Sequence, residues 1–585
     1  MSRSLTPRTG PLHHAAAPWV MLGLLWGGIA VLAGIWGAAW LAARISGGRV
    51  APFGAEWVAD LLAGRTDQAW PQTPTWLVVV FACLVVLLLL ALAAGGIRLV
   101  LRRRTAPDDP VSAITRGNPI AAEIGPEATR AQAVKLRADL KRLSPTDVKK
   151  LPEHELGLPI GKLLLPRGRS GPTLFASWED TILAIMAPRA GKTTSLAIPY
   201  ILGAPGPVIA TSNKRDLWDA TSQLRASDTD QTVWLFDPQS ITRNPQGMWW
   251  NPLAAITSYE EANRVASHFV QTVADEKQRD LWGPAAQELL CALLLAAAHA
   301  GETVETVALW LDDELLPTPS EILDEMGQVS LASSLRGVQA GAPDTRAGIY
   351  QTARTAARCL RDPQITAWVT PQNLPQFDPD TFVASRQTLY LMSKAGGGSA
   401  APLVAALTDR VMRAAEAAAE RQGGRLAVPL VAVLDEAANV CRINDLPLLY
   451  SHFGSRGIIP VTILQSRRQG VSVWGEEGFD SLWGAATRKV IGAGIDDPAL
   501  ARDLSAMIGH HDVATSSLSY GSDHVGESVS LRRQEIMDAA AVRALPKGTA
   551  LLLATGLKPT LVKLLPWYQG PRATEIAAAI KKATQ

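Results

Sequence analysis

The chain has 585 residues, too many for one hydrophobic core, which implies two or three soluble units beside any membrane segment. Its 56 Lys and Arg stand against 54 Asp and Glu, a net charge of +2 that excludes global basicity as a mode of nucleic-acid binding and leaves only local patches. The cysteines, Cys83, Cys291, Cys359 and Cys441, have no CxxC or Cys/His spacing, which excludes a structural zinc or a disulfide framework.

Residues 19–43 carry no charged side chain and exceed the ~20 residues needed to cross a bilayer; residues 75–97 form a second such span. Both are longer than the apolar region of a cleaved signal peptide. Arg3 and Arg8 precede the first span, and Arg98, Arg102, Arg103 and Arg104 follow the second. The connecting loop balances Arg44, Arg49 and Arg65 against Glu56, Asp60 and Asp67. Positive-inside logic therefore predicts a hairpin in the cell membrane with both outer flanks in the cytoplasm. Trp19, Trp40, Trp57, Trp70 and Trp76 cluster near the span ends as an aromatic belt would. A pair of buried core helices is the alternative.

Residues 105–125, rich in Pro, Gly and mixed charge, read as a linker. Residues 127–143 read as a short charged helix below the membrane or simply as a solvated surface helix. Short apolar runs then predict strands at 181–186, 207–212, 231–236, 387–392, 430–434, 458–464, 488–493 and 549–554. Helical or loop sequence separates them, which argues for a largely parallel sheet with crossover helices. Between 257 and 375 the texture is helical throughout and reads as an all-α insertion. The predicted organisation is a transmembrane hairpin over 1–104 and a cytosolic linker with a short helix over 105–150. A nucleotide-binding domain follows in two parts, 151–256 and 376–570, around the insertion at 257–375, with a tail at 571–585.

Residues 181–194, TILAIMAPRAGKTT, place an apolar strand before a Pro- and Gly-containing turn that opens into a helix. This is the setting of a phosphate-binding loop. In the loop Pro188-Arg189-Ala190-Gly191 the backbone N–H groups after the proline, with the following helix N-terminus, face the anion, Lys192 reaches the β/γ-phosphates, Thr193 ligates Mg²⁺, and Thr194 completes the cradle. The first glycine of the full pattern would fall at Met186, where a side chain is expected to make the sharp entry harder. Residues 430–436, LVAVLDE, read as a buried parallel strand with an acidic end. Beside a P-loop, Asp435 would join the Mg²⁺ shell and Glu436 would deprotonate the attacking water. The other reading is a core strand and a solvated acidic pair at a helix N-terminus.

Together these pieces resemble the TraG/TraD-type coupling ATPases of conjugative and type IV secretion systems. SNKRDL at 212–217, Asn251-Pro252-Leu253, Trp282 before an Ala-rich helix, LDEAANV at 434–440, SRGIIPVTILQS at 455–466 and the TraM-recognition-like segment 486–509 are similar to that family's motifs in order and spacing. The resemblance implies an α/β, RecA-like P-loop domain with a mainly parallel sheet, the inserted all-α domain and the two-helix transmembrane hairpin. It also implies a membrane-anchored homo-hexamer that binds ATP between subunits with Mg²⁺, and assigns Gln465 to sensing the γ-phosphate or water. Arg456 becomes the candidate arginine finger, with Arg467 and Arg468 as rivals. The implied partners are single-stranded DNA, its attached relaxase and the type IV secretion channel.

From the residues themselves, Lys214, Arg215, Arg467 and Arg468 fall on predicted loops where a pore would present them to phosphates, and a solvated charged face explains them equally well. Two rival readings stand beside this one. An FtsK-like double-stranded DNA translocase is disfavoured by the all-α insertion and the lack of a C-terminal winged helix. A protein-docking or export ATPase could use the polar Ser516–Ser530 stretch as a partner loop.

Overall fold

The computed structural model describes residues 16–103, 109–271, 273, 276–394, 396, 398–520 and 525–584. These form two compact units, one running to Asp109 with Asp512–Gln534, the other Pro110–His511 with Glu535–Gln585.

The first unit is built on two long helices, Ala16–Ser46 and Thr75–Arg103. Their windows Trp26–Ser46 and Thr75–Gly96 are long and apolar enough to cross a membrane. Most of that apolar surface points outward, with Trp26, Leu84, Leu87, Leu88, Leu90 and Leu92 all exposed, as lipid-facing side chains would be. Small residues let the helices approach. A Cβ on Gly34 would lie 2.8 Å from Val85 Cγ1. Short helices Ala55–Leu62 and Thr66–Ala69 cap the pair and bury Trp57 and Trp70 against Ala39, Ala42 and Val78.

The second unit carries an eleven-stranded sheet. Numbered in chain order over both units, the strands of the described residues are β1 (Leu158–Leu165), β2 (Arg169–Ala176), β3 (Ile182–Ile185), β4 (Val208–Ser212), β5 (Val233–Phe236), β6 (Thr388–Met392), β7 (Leu430–Leu434), β8 (Ile458–Leu464), β9 (Arg488–Ile491), β10 (His510–Tyr520), β11 (Val525–Glu535), β12 (Thr549–Ala554) and β13 (Thr560–Lys563), of which all but β10 and β11 make up the eleven-stranded sheet. The sheet runs β2-β1-β13-β12-β9-β3-β8-β7-β4-β6-β5, and β10 and β11 form a separate ribbon. The seven strands from β9 to β5 are parallel. β12, β13, β1 and β2 extend the sheet antiparallel.

Burial on both faces explains why the central strands lack polar alternation. β3, β4, β6, β7 and β8 are buried at every position. Ile182, Ala184 and Met186 face a core shared with Leu196, Ile198 and Ile201 of the helix after the loop. Leu183 and Ile185 face the opposite core, with the helices between β5 and β6. Among the described residues that stretch is helical. It contains Tyr259–Val270, Glu276–Ala300, Val304–Trp310, Thr318–Glu325, Val329–Ala340 and Pro343–Ala356. Its segment Leu281–Ala300 is also long and apolar enough to span a membrane, yet Leu289, Leu290 and Leu293–Leu295 are buried against neighbouring helices of this unit.

Several sequence expectations are corrected. The 105–125 linker contains helices Pro110–Thr115 and Ile120–Ile124, with Ile114, Ile120 and Ile124 buried in the cores. The charged helix ends at Leu136 instead of Leu143, and Arg137 breaks it with extended backbone. That arginine is not solvated. It is 2% exposed, 5.8 Å from the Trp178 ring, and ion-paired with Asp139 and Glu155. Within Ser516–Ser530, residues 516–520 and 525–530 lie on the β10–β11 ribbon, because backbone hydrogen bonds can pair strands without apolar side chains, and 521–524 lie outside the described residues. The 571–585 tail holds helix Ala573–Thr584, which buries Ile576 and is tied to helix Asp216–Thr229 through Arg572 and Asp228.

Candidate nucleotide-binding site

β3, the sixth of the eleven strands, ends at Ile185, and its neighbour β8 and the next strand beyond, β7, end beside it. All three loops thus leave from the carboxyl edge of the sheet, where open α/β folds bind ligands. The loop after β3 carries positive φ at Arg189 (62°) and Gly191 (94°). Met186 is not among the left-handed residues, so the expected strain at the missing first glycine does not arise. Met186 instead continues the strand, its N–H donating to the Leu464 carbonyl at 3.0 Å.

Met186 is 1% exposed and occupies space that Gly492 leaves open, since a Cβ there would lie 2.6 Å from Met186 Cγ. Met186→Gly is therefore expected to lower unfolding free energy by roughly 2–5 kcal/mol through the cavity it leaves, without weakening nucleotide binding. Denaturant melts alongside nucleotide titration of the folded variant check both halves.

Helical geometry begins at Lys192, passes through a wide first turn at Thr193–Ala197 and continues as Ile198–Gly203. Pro188 and Arg189 are exposed, Ala190 is buried, and Thr194 Oγ1 donates to the Gly191 carbonyl at 3.2 Å. Lys192 is buried at the helix start and points across to the end of β7. Its Nζ donates to Glu436 Oε1 and lies 3.4 Å from Asp435 Oδ1. Thr193 Oγ1 donates to Asp435 Oδ2 at 3.1 Å. From the end of β8, Gln465 Nε2 donates to both Glu436 carboxylate oxygens, each at 2.8 Å.

The structure therefore brings Lys192, Thr193, Asp435, Glu436 and Gln465 together from three strand ends. The two carboxylates are 3% and 5% exposed, yet they titrate in opposite directions. Burial, with the neighbouring Glu436 and Asp216 charges, raises Asp435 against the pull of Lys192 and Thr193. Burial also opposes ionisation of Glu436, but Lys192, Gln465 and Asn439 outweigh it and hold that carboxyl below its usual range. Glu436 is thus ionised at neutral pH and able to accept a proton.

Among the described residues no group of three or more His, Cys, Asp or Glu side chains could cage a metal by itself. The Thr193 hydroxyl and Asp435 carboxylate nevertheless suit Mg²⁺, which takes hard oxygen donors and fills its remaining positions with water and phosphate oxygens.

Arg456 lies elsewhere. It precedes β8, whereas Gln465 follows it, so a strand of about 20 Å separates them. Its guanidinium pairs with Glu416 and Glu420. Arg467 is near the site but engaged with Glu476 and Asp480, and Arg468 is exposed. Of the two basic residues after β4, Lys214 is exposed, while Arg215 is tied to Asp219 and the Ala583 carbonyl. Asn439, three residues after Glu436, also contacts its carboxylate, a role the sequence reading did not assign.

A P-loop on a central parallel strand, facing an Asp-Glu pair on the next strand but one, defines a RecA-like P-loop nucleotide-binding protein. The chain belongs to the type IV secretory system conjugative DNA transfer family, whose profile matches residues 160–585. Similar solved structures include the bacterial conjugative coupling protein TrwBΔN70, with 15% identity over 66% of this chain and 85% of that chain at a TM-score of 0.48. The plasmid coupling protein TrwB with ADP and Mg²⁺ aligns at 16% identity over 66% and 85% of the two chains, TM-score 0.45. VirB4 of Thermoanaerobacter pseudethanolicus aligns at 14% identity over 72% and 98%, TM-score 0.39. No curated protein matches by sequence.

Proposed function

We propose that this chain is a membrane-anchored ATPase that couples a relaxase–DNA substrate to a type IV secretion channel and drives DNA transfer by ATP hydrolysis. The observation that carries the hydrolytic reading is the convergence of Lys192, Thr193, Asp435, Glu436 and Gln465 at adjoining strand ends. The DNA substrate rests on the family.

In this reading the loop N–H groups and Lys192 bind and orient the β/γ-phosphates. Thr193 and Asp435 would hold Mg²⁺, which when bound neutralises phosphate charge. Glu436 takes a proton from a water that Gln465 orients. The water oxygen bonds the γ-phosphorus as the bond to the β–γ bridging oxygen breaks, and ADP and phosphate leave. Binding energy is spent on alignment and on charge developing at the phosphoryl oxygens.

Arg456 takes no part in this subunit's own site. A finger role for it is a role in trans within a homo-hexamer, and its guanidinium would have to leave Glu416 to play it. The N-terminal helices anchor the chain, with the ATPase unit on the cytoplasmic side where the flanking arginines belong.

The test is ATP hydrolysis by the detergent-solubilised full chain with no DNA, single-stranded DNA or double-stranded DNA. Turnover stimulated most by single strands is the expected result. Preference for double strands would move the chain to an FtsK-like pump. No DNA stimulation, with effector proteins stimulating instead, would make it a protein-docking ATPase.

A further inference from the structure

The turn after β7 holds Glu436 in an unusual way. Glu436 adopts φ 57° and ψ 37°, left-handed backbone that costs a residue with a Cβ about 1–2 kcal/mol. That twist starts a single helical turn, Ala437–Val440, in which the N–H groups of Asn439 and Val440 donate to the Glu436 carbonyl at 2.8 and 3.0 Å. One turn on, Asn439 comes back over the residue that began it. Its Nδ2 donates to Glu436 Oε2 at 2.9 Å, while Lys192 takes Oε1 and Gln465 reaches both oxygens.

The far end of the turn is clamped as well. Arg442 donates from Nε to the Ala438 carbonyl at 2.7 Å and from Nη1 to the Gln271 carbonyl at 3.2 Å, just past helix Tyr259–Val270. Trp474 Nε1 donates to the Ile443 carbonyl at 2.8 Å. The short helix therefore cannot drift away from the carboxylate it serves.

We propose that Asn439 is a positioning residue for Glu436, its amide opposing the pull of Lys192 and, with Gln465, fixing the carboxylate in the one orientation that reaches the attacking water. This rests on the reading of Glu436 as the base. The pull of Lys192 on Oε1 draws the carboxylate toward the P-loop, and two neutral amide donors from two separate elements hold it against that pull. A carboxylate free to swing would spend most of its time misdirected, and misplacement of a reacting group by an ångström costs about 10²-fold in rate.

The experiment compares the full chain with Asn439→Ala, Asn439→Asp and Asn439→Gln, alone and combined with Glu436→Gln. We expect Asn439→Ala to lower kcat by about 10²-fold with KM and ATP affinity within about twofold of the parent. The isosteric Asn439→Asp, which loses the donor without changing shape, falls at least as far. Asn439→Gln, which keeps an amide donor, recovers part of the loss. In the Glu436→Gln background, Asn439→Ala adds nothing, because both act through one carboxylate. Parent kcat in Asn439→Ala and Asn439→Asp, with Glu436→Gln inactive, overturns the role of Asn439 alone. Parent turnover in Glu436→Gln instead overturns the base assignment. Loss of the folded state in both the Asp and Gln variants, read from melting curves, would make Asn439 a structural residue and sink the inference.

Discussion

Glu436→Gln is expected to keep ATP bound and stop turning it over. Gln has nearly the shape of Glu, and its single carbonyl oxygen can still accept from Lys192 and Gln465, while its NH2 group gives up the bond from Asn439, so the pocket should keep its overall form. It has no carboxylate to receive the proton of the attacking water. General-base assistance is worth about 10²–10⁴-fold, and kcat is expected to fall by that factor while nucleotide affinity is unchanged or increased. Rapid-quench measurement of single-turnover hydrolysis, with nucleotide binding measured in parallel, checks both parts. Equal losses in binding and kcat would make Glu436 a ligand of the nucleotide complex instead of its base.

Lys192→Ala is expected to remove both binding and turnover. Lys192 is the cation facing Asp435 and Glu436, which are both nearly closed to solvent. Its loss removes the donor for the phosphates, and loss of one well-placed charge-stabilising donor costs about 10²–10³-fold in rate. The second consequence concerns the carboxylates. Burial already opposes ionisation of Glu436, so without Lys192 its carboxyl rises from the low range in which that ammonium holds it. The variant's Glu436 should therefore titrate higher than in the parent, in addition to losing its phosphate contact. Lys192→Arg is not expected to rescue it, since a planar fork does not replace a compact ammonium at this helix start. Turnover at the parent rate in Lys192→Ala would remove this loop from the chemistry.

The parts of the site legible in the sequence were those encoded by short, contiguous patterns. The P-loop residues and the acidic end of β7 can be read locally, because strand, turn and helix start lie within a few residues of one another. Gln465 needed the family resemblance, since one polar residue after a strand says little by itself. Asn439 was hidden for a different reason. Its contact depends on the left-handed backbone at Glu436, a conformation that a glutamate does not announce. Arg456 shows the reverse limit. The sequence already puts it before β8 and Gln465 after, so the two lie at opposite ends of one strand, and a role in a neighbouring subunit's site stays a proposal.

By itself, the amino-acid order determined the two apolar spans, the eight apolar strands of the sheet and the helical stretch between β5 and β6. Uncharged length and unbroken apolar runs are sufficient signals for these, because burial on both faces leaves no room for polar positions. The tertiary structure alone decided the antiparallel extension through β12, β13, β1 and β2, of which only β12 is an evident apolar run. It also decided the packing of 110–136 against the core and the fitting of Met186 to Gly492. Each of these rests on a partner distant in the chain, and no local pattern specifies which surface a segment will meet. The convergence of Lys192, Glu436 and Gln465 follows the same rule. Three loops meet because their strands are neighbours in the sheet, and strand order is a property of the folded chain.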